Sequence, residues 1–199
     1  MQDLSTVIDT FFEHYHKSFE TLATPHDPQW PSPCEIGDPW TDDLGDAWIK
    51  WQPVPRHSTA DDFAGLESAL EIAIHPDIKA HYGRYWSAHL EAEAPDGHVS
   101  LLYLWNQQDA DRLVENLIGH AVACRHNRTP FSVFFACTEP DSDLFLTVNN
   151  DSGAVQLEAP GKKPLRTVSA SLGEFIQRLV PAAGPNADAS HGIERMTTS

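Results

Sequence analysis

Three apolar runs joined by short polar connections constrain this fold more than any other feature of the chain. They are Phe131-Ser132-Val133-Phe134-Phe135-Ala136-Cys137, Leu144-Phe145-Leu146-Thr147-Val148 and Ala154-Val155-Gln156-Leu157-Glu158. Their aromatic and β-branched residues mark them as strands. The connections, residues 139–143 and 149–153, are too short for a crossover helix, which a parallel pairing would require, so the strands pair antiparallel. A second pair lies upstream. Residues 88–94 alternate apolar with polar, Pro95-Asp96-Gly97 makes a turn, and Val99-Ser100-Leu101-Leu102-Tyr103-Leu104-Trp105 returns as a more buried arm.

Helical periodicity fills the remainder. Leu4, Val7, Ile8, Phe11, Phe12, Tyr15, Phe19 and Leu22 trace one continuous apolar stripe. Thr59 and Asp62 resemble a capping box ahead of Phe63, Leu66, Leu70 and Ile74, a helix that Pro76 is expected to end or kink. Residues 108–126 return to helical period, with Leu113, Val114, Leu117, Ile118, Ala121 and Val122 as the expected buried stripe. Leu172, Phe175, Ile176 and Leu179 read as a last short helix. Residues 25–46 carry five prolines and two glycines and read as an extended loop with no lasting regular element, and residues 47–51 as a short strand. The expected fold is α+β, a mixed or mostly antiparallel sheet with packed helices. It forms a single domain over residues 1–182, followed by a disordered tail over 183–199.

Charge narrows the partners. The net charge is −16 with histidine neutral, and it is unevenly placed: residues 1–50 carry ten acidic and two basic side chains, while residues 151–199 balance at five and five. Such a field repels phosphate backbones and anionic lipid headgroups, so no nucleic acid is expected as partner and no direct hold on a bilayer. One-sided acidity either serves solubility or faces a cationic partner. Cys34, Cys124 and Cys137 form no CxxC spacing, and no basic leader precedes an apolar run, which suits a reducing cytoplasm.

No catalytic group, metal ligand or cofactor is expected. The closest histidines, His14 and His16, stand i, i+2 and point apart on a helix. Cys34 with His120 is the one nucleophile and base pairing worth weighing, against Cys34 as a small hydrophobe in the proline loop. Within residues 108–126 the polar side runs Arg112, Glu115, Asn116, Gly119 and His120. A mid-helix glycine costs about 1 kcal/mol relative to alanine. Gly119 therefore either admits a partner backbone or packs on the chain's own loop. His89, Glu91 and Glu93 share one strand face at period two. With Asp38, Asp42, Asp43 and Asp46, and with Glu67 and Glu71, they either form a solvated face or line an acidic groove for a basic partner.

Several short strings then fall together in order: Pro31-Ser32-Pro33-Cys34, Trp51-Gln52-Pro53, Ile74-His75-Pro76-Asp77-Ile78 with Tyr82-Gly83, and Glu115-Asn116-Leu117-Ile118-Gly119-His120. In these the chain resembles the bacterial Syd proteins, from about Pro31 to Val180. The resemblance implies a non-enzymatic protein, distantly related to the SUKH superfamily, that docks on the cytosolic face of SecY at the inner membrane. An acidic concave surface would meet SecY's basic loops, so contact with the membrane would come only through that docking. On that expectation Glu67, Glu71, Asp77, Glu91, Glu93 and Glu115 are partner-binding, with Trp51, Tyr82 and the edge Asn116, Gly119 and His120 as anchors. The alternative is a SUKH-type immunity protein neutralising a basic nuclease toxin.

Overall fold

A computed structural model describes residues 3–19, 21–56, 62–139 and 142–183. Helix α1 (Leu4–Ser18) buries Val7, Ile8, Phe11, Phe12 and Tyr15, as the apolar stripe predicts. Beyond it, β1 (Ala23–Pro25), β2 (Glu35–Thr41) and β3 (Ala47–Trp51) form a small antiparallel sheet in the order β1-β3-β2. The proline-rich stretch thus holds a seven-residue strand, contrary to the expected loop. The ladder tolerates it through a bulge: Ile36 pairs with Lys50 and Trp40 with Trp48, leaving Gly37, Asp38 and Pro39 opposite Ile49. Gly37 supplies the positive φ of 70° that the bulge needs, and Pro39 stands where no ladder hydrogen bond is lost.

The short strands β4 (Val54–Pro55) and β5 (Tyr85–Trp86) pair with each other. Between them the expected single helix is two. Helix α2 (Ala64–Leu70) stops at Glu71, whose φ of 55° is left-handed. Helix α3 (Pro76–Arg84) then starts at Pro76, so the proline opens a helix rather than closing one. Its missing N–H is harmless at the first position, and His75 Nδ1 accepts the Asp77 N–H at 3.2 Å as the cap. Thr59, half of the proposed capping box, lies outside the described residues.

The main sheet has seven antiparallel strands in the order β11-β10-β9-β8-β7-β6-β12. The hairpin of β6 (Leu90–Ala94) and β7 (Gly97–Leu101) turns at Pro95-Asp96, as the sequence predicts, although the second arm leaves the ladder after Leu101. Strands β8 (Ser132–Cys137), β9 (Phe145–Asn149) and β10 (Val155–Glu158) follow in the predicted antiparallel meander. Within this sheet two strands have no counterpart in the sequence reading, β11 (Arg166–Ser169) and β12 (Val180–Pro181). The latter lies along β6, with Val180 opposite Glu93 and the Ala182 N–H donating to the Glu91 carbonyl at 2.9 Å.

Helix α4 (Gln107–Asn127) connects β7 to β8, and α5 (Leu172–Ile176) precedes β12. On α4 the buried residues are Ala110, Leu113, Leu117, Ala121 and Cys124. Ile118 and Val122, expected inside, are 37% and 57% exposed. The stripe is rotated because α4 needs only its small and leucine positions to pack, leaving the branched residues outward. Leu90, Ala92, Leu101, Phe135 and Leu146 join α1, α3 and α5 in one core. Among the described residues no helix is long and apolar enough to cross a membrane.

Candidate functional site

Alternation along β6 puts Leu90 and Ala92 into the core and Glu91 and Glu93 on the opposite face. Ladder register then sets His98 across from Glu93 and Ser100 across from Glu91. The result is a tight polar group. His98 Nε2 stands 2.7 Å from Glu91 Oε2 and its Nδ1 3.2 Å from Glu93 Oε1, while Ser100 Oγ donates to Glu91 Oε1 at 2.9 Å. Partial burial pulls the His98 pKa down, but the hydrogen bonds to Glu91 and then Glu93 outweigh it, leaving a net rise. Protonated, His98 cancels one of the two carboxylate charges; neutral, it leaves both available to a cation.

The acidity extends toward α4. Partial burial of its ring lowers the His89 pKa against the fields of Glu91 and Asp109, so β6 and the first turn of α4 act on one imidazole. A cleft of about 250 Å³ beside it is lined by Asp27, Trp30, His89, Tyr103 and Trp105. The Arg112 guanidinium lies 3.9 Å from the Trp30 ring centroid, a cation–π contact.

The remaining acidic candidates lie elsewhere. Glu67 pairs with Lys79 at 2.8 Å and accepts the Ile74 N–H at 2.8 Å, bracing the turn from α2 into α3. Glu71 is the exposed left-handed cap of α2, and Asp77 is in the first turn of α3. This corner packs on the β9–β10 turn, where Asn150 Oδ1 accepts the His75 N–H at 3.0 Å. Glu67, Glu71 and Asp77 are therefore not in the group formed by Glu91 and Glu93.

Two expected anchors are core residues. Trp51 is 5% exposed and meets Trp105 edge to face at 6.2 Å, and Tyr82 is 2% exposed with its hydroxyl donating to the Phe134 carbonyl at 2.6 Å. Both rings are consumed by packing and cannot reach a partner. On α4, Glu115, Asn116 and Gly119 are exposed and His120 is half-buried. A Cβ on Gly119 would meet nothing within 4 Å, so the glycine does not exist to fit the chain's own loop.

The pairing of Cys34 with His120, weighed from the sequence against a packing role for Cys34, is not formed. Cys34 is fully buried, and burial pushes its thiol up to about 11. His120 instead has Cys124 at 3.5 Å, one helical turn on. The i, i+4 spacing of His120 and Cys124 was the signal for this pair. Among the described residues no group of three or more His, Cys, Asp or Glu could hold a metal ion.

The family described as Syd protein (SUKH-2) matches residues 1–181. The chain is 37% identical over 180 residues to Protein Syd of Pseudoalteromonas atlantica, covering 90% of this chain and 95% of that one. It is 39% identical over 179 residues to Protein Syd of Colwellia psychrerythraea, with 85% and 86% covered. Against Protein Syd of Hahella chejuensis it is 39% identical over 187 residues, with 92% and 94% covered.

Proposed function

Because this chain belongs to the Syd family, we propose that it is a binding protein, not an enzyme, that docks on the cytosolic face of SecY and regulates or quality-controls the translocase. It is peripheral to the inner membrane, held there through that protein contact alone. The observation that carries the reading is the group of Glu91, Glu93 and His98 on the face of β6 and β7 turned away from the core, continued by Asp109 on α4. Basic loops of the partner would lie against it.

Magnitudes divide the labour. Micromolar binding needs about −8 kcal/mol. Exposed ion pairs contribute roughly 0.2–1 kcal/mol each. The carboxylates therefore speed and orient the encounter, and desolvated contacts must hold the complex. With Trp51 and Tyr82 inside the core, the anchors fall to α4, where Asn116, Gly119 and His120 adjoin the exposed Ile118 and Val122. Glu115 on the same helix, and Glu67, Glu71 and Asp77 at the α2–α3 corner, contribute at longer range.

Titration of the protein against SecY complex in nanodiscs, at low and at physiological salt, tests this. Reversing both charges (Glu91→Lys with Glu93→Lys) should weaken binding and flatten its salt dependence. Affinity and salt slope that match the unaltered protein would remove the acidic face from the interaction.

A further inference from the structure

The three cysteines occupy three different environments, and one of them is equipped to react. Cys34 is fully buried, with its thiol held protonated by burial. Cys137 is exposed, but burial of its sulfur and the nearby Glu91 carboxylate both raise its pKa. Cys124 differs from both: its Sγ stands 3.5 Å from His120 Nε2. The pair lines a cleft of about 310 Å³ between α4 and the segment that follows β10. Cys124 is a buried residue, 7% exposed, and it reaches solvent along this cleft, which it lines.

The charged groups facing the pair are few. Glu158, from β10, is 6% exposed and its Oε1 accepts the Thr147 hydroxyl at 2.7 Å, so it is committed within the protein. Lys162 lines the cleft beyond it and is available to a carboxylate. Phe145 and Asn127 are among the residues of its walls, and the His120 ring is set against Phe131 at 5.7 Å.

We propose that Cys124 is a site of reversible S-thiolation by a low-molecular-weight, carboxylate-bearing disulfide, with His120 as its base. With the proton of its imidazole on Nδ1, His120 accepts the thiol proton at Nε2 as Sγ attacks one sulfur of the reagent. A new Sγ–S bond forms and the reagent's S–S bond breaks. The electron pair leaves on the departing sulfur, which takes the proton back from His120. One disulfide is consumed and one is made, so no further oxidant is needed. Lys162 orients the reagent through its carboxylate. The assignment stands whether or not SecY docking does.

Native protein exposed to oxidised glutathione, followed by peptide mapping in a mass spectrometer, ranks the three thiols directly. Cys124 should acquire the mixed disulfide first, dithiothreitol should reverse it, and His120→Gln should slow it by about tenfold or more while Cys137 is unaffected. Modification of Cys137 or Cys34 ahead of Cys124 would overturn the proposal. So would an unchanged Cys124 rate in a folded His120→Gln protein. Should that variant fail to fold, the unaltered protein decides by the order in which its three thiols are modified, and Cys137 or Cys34 ahead of Cys124 would again overturn the assignment.

Discussion

The two faces of the seven-stranded sheet are written by alternating residues of the same strands, yet they obey different rules. On β6, Leu90 and Ala92 are buried beneath helices, and what matters there is volume. Glu91 and Glu93, one residue away on each side, face His98 and Ser100, and what matters there is charge. Two histidines sharpen the contrast. His81 of α3 is completely buried against Tyr103 and Phe135, and burial lowers its pKa to about 4. His98 on the other face is raised by its carboxylates. One side chain type is thus tuned in opposite directions across a single sheet.

If the packed face is governed by volume, Phe135→Ala should produce the largest loss. The ring is 1% exposed and meets Phe175 and His81 edge to face, so about 3–5 kcal/mol of stability should disappear in urea unfolding. Acid acts next. A depressed histidine pKa means that between pH 6.5 and about 4 the unfolded chain takes up a proton that the folded one refuses. The contribution of neutral His81 is whole above pH 6.5 and is lost as pH falls toward 4. The loss amounts to about 3 kcal/mol, to be read from unfolding curves across that window against His81→Phe.

Gly119→Ala has the opposite sign. Its Cβ enters open space, so the helix should gain about 1 kcal/mol, and SecY affinity measured on the same variant reports whether a partner backbone approaches there. The smallest effect belongs to the open face. Replacing both carboxylates (Glu91→Gln with Glu93→Gln) should move stability by less than about 1 kcal/mol while returning the His98 pKa toward its ordinary value in an NMR titration. The sign follows from the raised pKa: this stabilisation is present below the unfolded-state value and is lost as pH rises through the folded one. A large stability loss in that double variant would erase the distinction between the faces.

Much of the packed face was legible in advance because period two and period 3.6 are burial patterns. The meander β8–β10, the β6–β7 hairpin and the buried side of α1 were all readable on that basis. Where burial depended on a neighbour, the pattern failed. Ile118 and Val122 have the composition of core residues, but Ala110 and Ala121 let α4 pack without them. Pro76 read as a stop because the left-handed turn at Glu71 leaves no trace in composition. The candidate site was legible only in part. Glu91 and Glu93 announce themselves by alternation, but their partner His98 is fixed by ladder register, and Trp51 and Tyr82 look like surface anchors until the packing around them is known.

Strand β12 has a consequence for how the molecule is made. Every other strand among the described residues precedes Val180–Pro181 in the chain, yet these residues hydrogen-bond along the outer margin of β6. During synthesis that margin stays bare until the last strand leaves the ribosome. A nascent chain halted before Val180 would carry a nearly finished sheet with an adhesive rim, a template for pairing with a neighbouring copy.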